Sequence, residues 1–531
     1  MNHIIEHVVV LGGGSAGWIS AGLIASKLKS VNNKINEQDK TAPIKVTLVE
    51  SPDVKTIGVG EGSWPTLRHT LKSIGISETT FIRECDASFK QGTEFLGWTN
   101  GHDRYYHPFT VPFCYPHTNT VQPLWEATAA AQPFANFASP QGPLCDSHKA
   151  PKSINEPEYA GFVNYGYHFN ADKLGALLKQ HCIENLNVEY ISDHVSSVEP
   201  VEGIEPIENR DIAALHLSQH GRLSGDLFID CSGLRGVLID HHYNVPWHSQ
   251  QKTLFNNRAL AVQMPYKDES QPIPSCTKST AQDAGWIWDI ALQNRRGTGL
   301  VYSSDFLDTE QAKSVLKQYL SNTNTEQQLT ELKFREIQFN PGYRKTFWHK
   351  NCVAVGLSSG FIEPLEASAI VMVELSAQFI ADHLPSSRGR LDIVAKKFNQ
   401  LFSYRWQQII DFLKYHYVLS ERQTPYWLAH QNPESIPDTL KDTIALWQEQ
   451  EPNHKDLWHN DEIFSAASYQ YVLFGMKGIS SNYQGRSSLM KSQIHEAHKQ
   501  RQQLDKQTQQ LTNHLPNNRD LLALLSAQAF K

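Results

Sequence analysis

Apolar runs punctuated by glycine organise the first fifty positions. His7 to Leu11 (HVVVL) reads as a buried parallel strand from its β-branched run. It feeds Gly12-Gly13-Gly14-Ser15-Ala16-Gly17, after which a helix is expected from Trp18 to about Lys29. Val31 to Ala42 is polar and reads as a surface insertion. Ile44 to Val49 (IKVTLV) is the second strand, closed by Glu50, so the chain opens on a βαβ unit. Residues 101–160 are rich in Pro, His and aromatics with little periodicity and read as loops and short strands. Leu174 to Cys182 is helical. Val188 to Ile191, Val195 to Val198, Ile212 to Leu217 and Leu227 to Asp230 read as a β meander returning to the main sheet. After Cys352 a strand and a long helix close a first domain, placed at residues 1–385, with the meander and loops (about 100–220) inserted in it. From Leu391 the pattern is helical almost throughout, which sets a helical domain at 386–531. Its run from Glu496 to Asn513 is so polar that it reads as a solvated helix face.

Composition narrows the class. With 531 residues, 40% hydrophobic and 10% aromatic, the chain is globular and has room for roughly two to four domains. A net charge of -7 argues against broad affinity for nucleic acid or anionic membranes. Seven scattered cysteines without a CxxC pair read as reduced thiols in a reducing compartment. No secretory signal is visible at the start. The most apolar stretch, Val353 to Ile380, is broken by Glu363, Glu366 and Glu374, so no membrane span is expected. The expectation is a cytoplasmic protein. His241, His242 and His248 lack metal-ligand spacing, and no metal site is assigned.

The glycine turn carries the first chemistry. Gly12 permits a tight turn, Gly14 lets backbone approach a pyrophosphate, and Gly17 lets helix pack on strand. Ser15 and Ala16, in the turn, are counted with the glycines as cofactor-binding, and the N-terminus of the helix that follows, with free N–H groups and a positive end, suits phosphates. Glu50, closing the next strand, can accept from an adenosine ribose hydroxyl. A glycine turn alone is also compatible with no nucleotide; its place between strand and helix, with an acid ahead, favours a dinucleotide. Two later strand-to-turn elements favour FAD over NAD. One is Gly225 to Gly233 (GDLFIDCSG). The other, Asn351 to Pro364, offers Gly356, Leu357 and Gly360 beside the cofactor. The fold expected is α/β, an FAD-binding Rossmann-like domain of the flavin monooxygenase type with a mostly helical C-terminal domain. With one dinucleotide fingerprint, reduced FAD should come from a separate flavin reductase.

Several motifs resemble the flavin-dependent tryptophan halogenases over nearly the whole chain. They are GGGSAGW (Gly12 to Trp18), GVGEGSWP (Gly58 to Pro65), CDASFK (Cys85 to Lys90) and YHFNA (Tyr167 to Ala171). DLFIDCSGLRG (Asp226 to Gly236), GWIWDI (Gly285 to Ile290), RRGTGLVYSS (Arg295 to Ser304), GLSSGFIEPLEASAI (Gly356 to Ile370) and HYVLSERQTPYW (His416 to Trp427) complete the set. GWIWDI and SFK separate this family from the phenol hydroxylases. The resemblance implies an enzyme that uses FADH2, O2 and chloride or bromide to halogenate an electron-rich, indole-type aromatic through hypohalous acid. It implies Lys90 as the group that hydrogen-bonds the hypohalous acid or is converted to a haloamine, the two remaining open. It implies Glu366 as the carboxylate that stabilises the cationic ring and accepts its proton. Glu363, three residues earlier, is the lesser candidate.

Halide is expected at the turn around Ser368 and Ala369, on backbone amides at a helix start. Trp286 and Trp288 alternate along one strand face, and the resemblance implies that their indoles stand between flavin and substrate. The helical C-terminal domain would cover the substrate. Each of these residues also has a plainer reading: a solvated Lys, a helix-capping acid, two core tryptophans. The chain departs from the family at Ala367, where a hydroxyl is usual, and at Ala291, where Pro is common. It departs again after Tyr469 to Gly478: Ile479 to Gln484 (ISSNYQ) holds no acid to grip a substrate ammonium, although Arg486 could reach a carboxylate. A flavin aromatic hydroxylase and a non-catalytic FAD-binding protein are the competing readings. A small aromatic is the expected ligand, and a homodimer is left open.

Overall fold

The computed structural model describes residues 4–32, 44–54, 61–116, 121–129, 132–459, 462–476 and 491–528. A six-stranded sheet forms its base. In spatial order its strands are Trp348–His349, Cys352–Ala354, Leu227–Asp230, His7–Leu11, Lys45–Glu50 and Glu189–Ser192. All neighbours are parallel except the terminal hairpin. Val8, Val9 and Val10 are fully buried, as a parallel strand covered on both faces requires. The helix Ser15–Asn32 makes the crossover from first to second strand and packs on the helix Ser368–His383. It begins three residues before the expected Trp18, because the glycine turn itself winds into the first helical turn. Residues 33–43, most of the expected insertion, lie outside the described residues.

The expected meander divides. Glu189–Ser192 and Leu227–Asp230 join the six-stranded sheet, whereas Val195–Pro200, Ile212–Leu217 and an unforeseen Gly221–Ser224 make a separate antiparallel sheet. Residues 101–160 are also not only loops and strands. After the strand Arg104–Pro108 come three short helices, Val121–Ala129, Phe134–Ala138 and Gln141–Asp146. Helices of five to nine residues are too short to imprint a 3.6-residue period, and Pro133 and Pro140 at two of their starts read as loop signals.

A second sheet of seven strands stands beside the first, in the order Arg335–Gln338, Arg258–Pro265, Arg295–Tyr302, Gly285–Ala291, Thr277–Gln282, Gly92–Leu96 and Arg104–Pro108. A small sheet of Glu61–Gly62, Gly166–Phe169 and Ser88–Lys90 adjoins it. From Leu391 on the described chain is helical. The helix Leu391–Val418 buries Arg405, Asp411, Lys414 and His416 along with its apolar face, an unusual charge load for a core helix. The polar helix Lys491–His514 is docked as well as solvated: Ala497 and Leu511 are buried, and Gln500 Oε1 accepts from the Cys114 thiol at 2.7 Å. One hydrophobic cluster runs from Ile5 to Leu522. All seven cysteines are free thiols. Among the described residues, no helix is long and apolar enough to cross a membrane.

Candidate active site

Glycines shape the first half of the site. Gly12 sits at φ +119°, and a Cβ there would come within 2.2 Å of the Cys231 carbonyl oxygen. A Cβ on Gly17 would lie 1.8 Å from the Gly12 carbonyl oxygen, so only glycine lets the helix start so near the strand. Around Gly14, by contrast, a Cβ would meet nothing within 4 Å. That open cradle, at the N-terminus of the helix that begins with Ser15 and Ala16, fits a pyrophosphate held by free amides. Gly13 was passed over in the sequence. Its Cβ would overlap the Glu50 carboxyl at 2.2 Å, so Glu50 lies directly against the turn. Lys179 steadies that carboxylate at 3.0 Å. Gly356, at φ +78°, presses on Ala16, with its Cβ position 2.7 Å from the alanine methyl. Leu357 follows it in the same turn. Gly360 faces elsewhere: its Cβ position is filled by Trp406 at 2.4 Å, a packing reason for glycine. The glycine turn, Glu50 and Gly356 meet at the carboxyl ends of parallel strands, where open α/β sheets bind ligands. The residues present therefore fit the dinucleotide half of FAD.

The second half is a cavity on the face of the seven-stranded sheet. Lys90, Trp286, Trp288, Glu366, Ala367 and Ala369 all line it, brought in from three separate stretches of sequence. Ser368, at the first position of its helix, is buried but does not line it. Gly58 to Gly60 of the GVGEGSWP motif lie outside the described residues, while Glu61 and Gly62 border the cavity.

Lys90 ends the strand Ser88–Lys90 and is 1% exposed. Among the described residues its ammonium makes no ion pair within 4.0 Å; the Phe109 ring lies under it at 5.3 Å. Burial pushes its pKa down to about 8, against the opposing pull of Glu366. This is a desolvated lysine, unlike the surface charge a lone Lys usually is.

Glu366 sits in a strained turn, with φ +64° at Glu366 and +55° at Ala367. The Trp64 indole N–H donates to the Glu366 carbonyl at 2.7 Å, and the Ala367 amide to the Pro364 carbonyl at 3.0 Å. Its Oε1 is 2.8 Å from His107 Nδ1 and 3.4 Å from His416 Nε2. Burial alone would raise this carboxyl, but the two imidazoles hold it well below the usual carboxylate range. His416 is itself fixed by a 2.9 Å contact between its Nδ1 and the Tyr105 hydroxyl. Neither histidine was singled out from the sequence. His107 lay in the stretch read as loops, and nothing local ties it to a carboxylate far along the chain. Trp64, Phe412, Phe464 and Tyr471 gather round this carboxylate–histidine cluster as an aromatic wall.

Glu363 has a different setting. Its Oε2 accepts from Asn256 at 2.6 Å, Trp286 Nε1 at 2.7 Å and Tyr417 at 2.7 Å. It fastens one of the paired indoles and does not line the cavity. Residues 477–490, including Ile479 to Gln484 and Arg486, lie outside the described residues.

A family model described as tryptophan halogenase matches residues 7–491. The chain is 30% identical over 500 residues to tryptophan 6-halogenase SttH of Streptomyces toxytricini, covering 89% of this chain and 90% of that protein. It is 27% identical over 467 residues to tryptophan 7-halogenase RebH of Lentzea aerocolonigenes, with 84% and 83% covered. The solved structure of a tryptophan halogenase from Shewanella frigidimarina matches with a TM-score of 0.91 at 42% identity, covering 99% of this chain and 98% of that one. BrvH, a flavin-dependent halogenase from Brevundimonas sp. BAL3, matches with a TM-score of 0.83 at 28% identity over 98% and 99%.

Proposed function

Because the chain belongs to the tryptophan halogenase family and is a flavin-dependent halogenase, we propose that the cavity beneath Trp286 and Trp288 is where hypohalous acid meets an electron-rich indole. One observation carries this reading: a buried ammonium with no ion pair among the described residues and a buried, ionised carboxylate line the same aromatic cavity. Bound FAD, once reduced, supplies with O2 and halide the electrophilic halogen. The pyrophosphate would rest on the amides of Ser15 and Ala16 over Gly14, and the ribose on Glu50. Chloride or bromide would bind at the backbone amides of Ser368 and Ala369, at the start of their helix.

Lys90 donates a hydrogen bond to the hypohalous acid and polarises its O–X bond. The ring carbon takes the halogen, the O–X electron pair leaves with the oxygen, and the products are aryl halide and water. Glu366 stabilises the ring cation, and its cavity-facing carboxylate receives the ring proton. His107 and His416 keep that carboxylate ionised. Trp286 and Trp288 wall off the substrate.

By their descriptions, SttH and RebH are tryptophan halogenases. For this chain we place indoles without a zwitterion ahead of free tryptophan, since Ile479 to Gln484, directly after Gly478, hold no acid to meet an ammonium whose desolvation needs a partner. Loose orientation then directs attack to indole's most nucleophilic carbon, the 3-position. Reduced FAD comes from a separate reductase, and seven free thiols fit a cytoplasmic setting. Mass spectrometry of indole, tryptophan and phenol incubated with the protein, a reductase, FAD and either halide tests the assignment. Halogenated indole is the expected product; hydroxylated products without halogen would overturn it.

A further inference from the structure

Two buried polar groups on the cavity wall have no hydrogen-bond partner among the described residues. Trp286 and Trp288 alternate on one strand, yet only the Trp286 indole N–H is satisfied, by Glu363. The Trp288 N–H, on a residue 4% exposed, has none. Opposite it in register on the neighbouring strand is Ser279, 1% exposed, whose hydroxyl also has none. Buried donors without an acceptor are rare in folded proteins and each calls for an explanation.

Their placement supplies one. Directly paired residues of adjacent strands project on the same face, and both of these line the cavity that contains Lys90. The serine backbone is held by the Trp98 indole, which donates to the Ser279 carbonyl at 3.0 Å. The Trp288 ring is seated over Gly299, where a Cβ would come within 2.2 Å of the indole. The indole cannot swing far to find another partner, and the serine backbone is fixed where its side chain meets the cavity.

The chemistry of the three groups is complementary. An ammonium and an indole N–H only donate, whereas a hydroxyl both donates and accepts. Hypohalous acid has an oxygen that accepts two hydrogen bonds and one hydrogen to give. A single ammonium fixes the oxygen but leaves the O–X bond free to turn about it. We propose that Ser279 and Trp288 complete, with Lys90, a three-point cradle for hypohalous acid: Lys90 and Trp288 donate to its oxygen, and the Ser279 hydroxyl accepts its hydrogen. The cradle aims the halogen at the substrate. It also offers a cavity hydroxyl in a chain that has Ala367 where its family usually carries one. The inference rests on the reading of the cavity given above.

The test is the partition of oxidising equivalents between halogenated indole and free methionine added as a scavenger, whose sulfoxide is counted. In Ser279→Ala the share reaching methionine should rise about fivefold, the scale of one lost hydrogen bond. Ser279→Thr, which keeps the hydroxyl, should restore the wild-type partition, and Trp288→Phe should leak like Ser279→Ala. A wild-type partition in Ser279→Ala overturns the cradle, and so does equal leakage from Ser279→Thr, which would mean packing alone. Lys90→Ala is the separate control. If it still halogenates, the cavity reading itself fails and the cradle with it.

Discussion

Among the described residues Lys90 makes no ion pair within 4.0 Å, which is unusual for an ammonium at 1% exposure. Its folded pKa of about 8 lies below the ordinary 10.5. The protonated form is therefore disfavoured by folding, by about 3 kcal/mol below pH 8, and that penalty fades as pH rises from 8 towards 10.5. Lys90→Met should accordingly melt at a higher temperature than wild type at pH 7, with the gain shrinking above pH 8. Thermal scans across that range check the sign. The same pKa governs chemistry. A donor must be protonated, so the halogenated share should fall as pH rises through about 8, whereas a haloamine route needs the neutral amine and would rise there. Glu366→Gln should lower turnover by roughly two orders of magnitude. His107→Ala removes the nearest partner of that buried carboxylate, so its pKa should climb and an acidic limb should appear in the pH–rate profile. Lys90 and Glu366 could be singled out in the sequence because each sits in a short motif. His107 and His416 could not, because their role exists only through a contact across the fold.

Elements show the same division. The βαβ opening was legible because glycine geometry and β-branched runs are local properties, and Gly12 and Gly17 behave as their spacing implies. The meander was misjudged since strand pairing is set by distant partners: two of its strands belong to the parallel sheet and two do not. The short helices between Val121 and Asp146 left no period to detect. GWIWDI was legible as a strand, yet the unlike surroundings of its two indoles were not. Glu363 anchors one, and Gly299 on the adjoining strand makes room for the other. A methyl at Gly299 cannot fit without displacing Trp288, because the Leu260 carbonyl blocks the alternative at 2.5 Å. Gly299→Ala should leave secondary structure intact by circular dichroism while lowering halogenation at least tenfold, the loss expected when a reacting group is held about 1 Å out of place. Wild-type yields in that variant would show that the Trp288 position does not matter.

For the whole molecule, the arrangement separates two tasks. The parallel sheet offers a dinucleotide cradle at its carboxyl edge, and the seven-stranded sheet offers a walled cavity with Lys90 and Glu366 facing it. Only one glycine fingerprint of the dinucleotide type is present, so the purified protein with FAD should not consume NADPH by itself. Spectrophotometry at the nicotinamide band checks this, and stoichiometric consumption would refute it. Competition between indole and tryptophan, read as the ratio of kcat/KM, should favour indole, with substitution at its 3-position. A preference for tryptophan with halogen on the benzo ring would reveal an ammonium clamp. The central claim is that halogenation runs through Lys90 in the cavity, and one measurement addresses it most directly. Lys90→Ala is supplied with reductase-generated FADH2, O2, bromide and indole, while flavin reoxidation and brominated product are followed in parallel. The flavin should be bound and reoxidised with brominated product absent; bromoindole at the wild-type yield would contradict that claim.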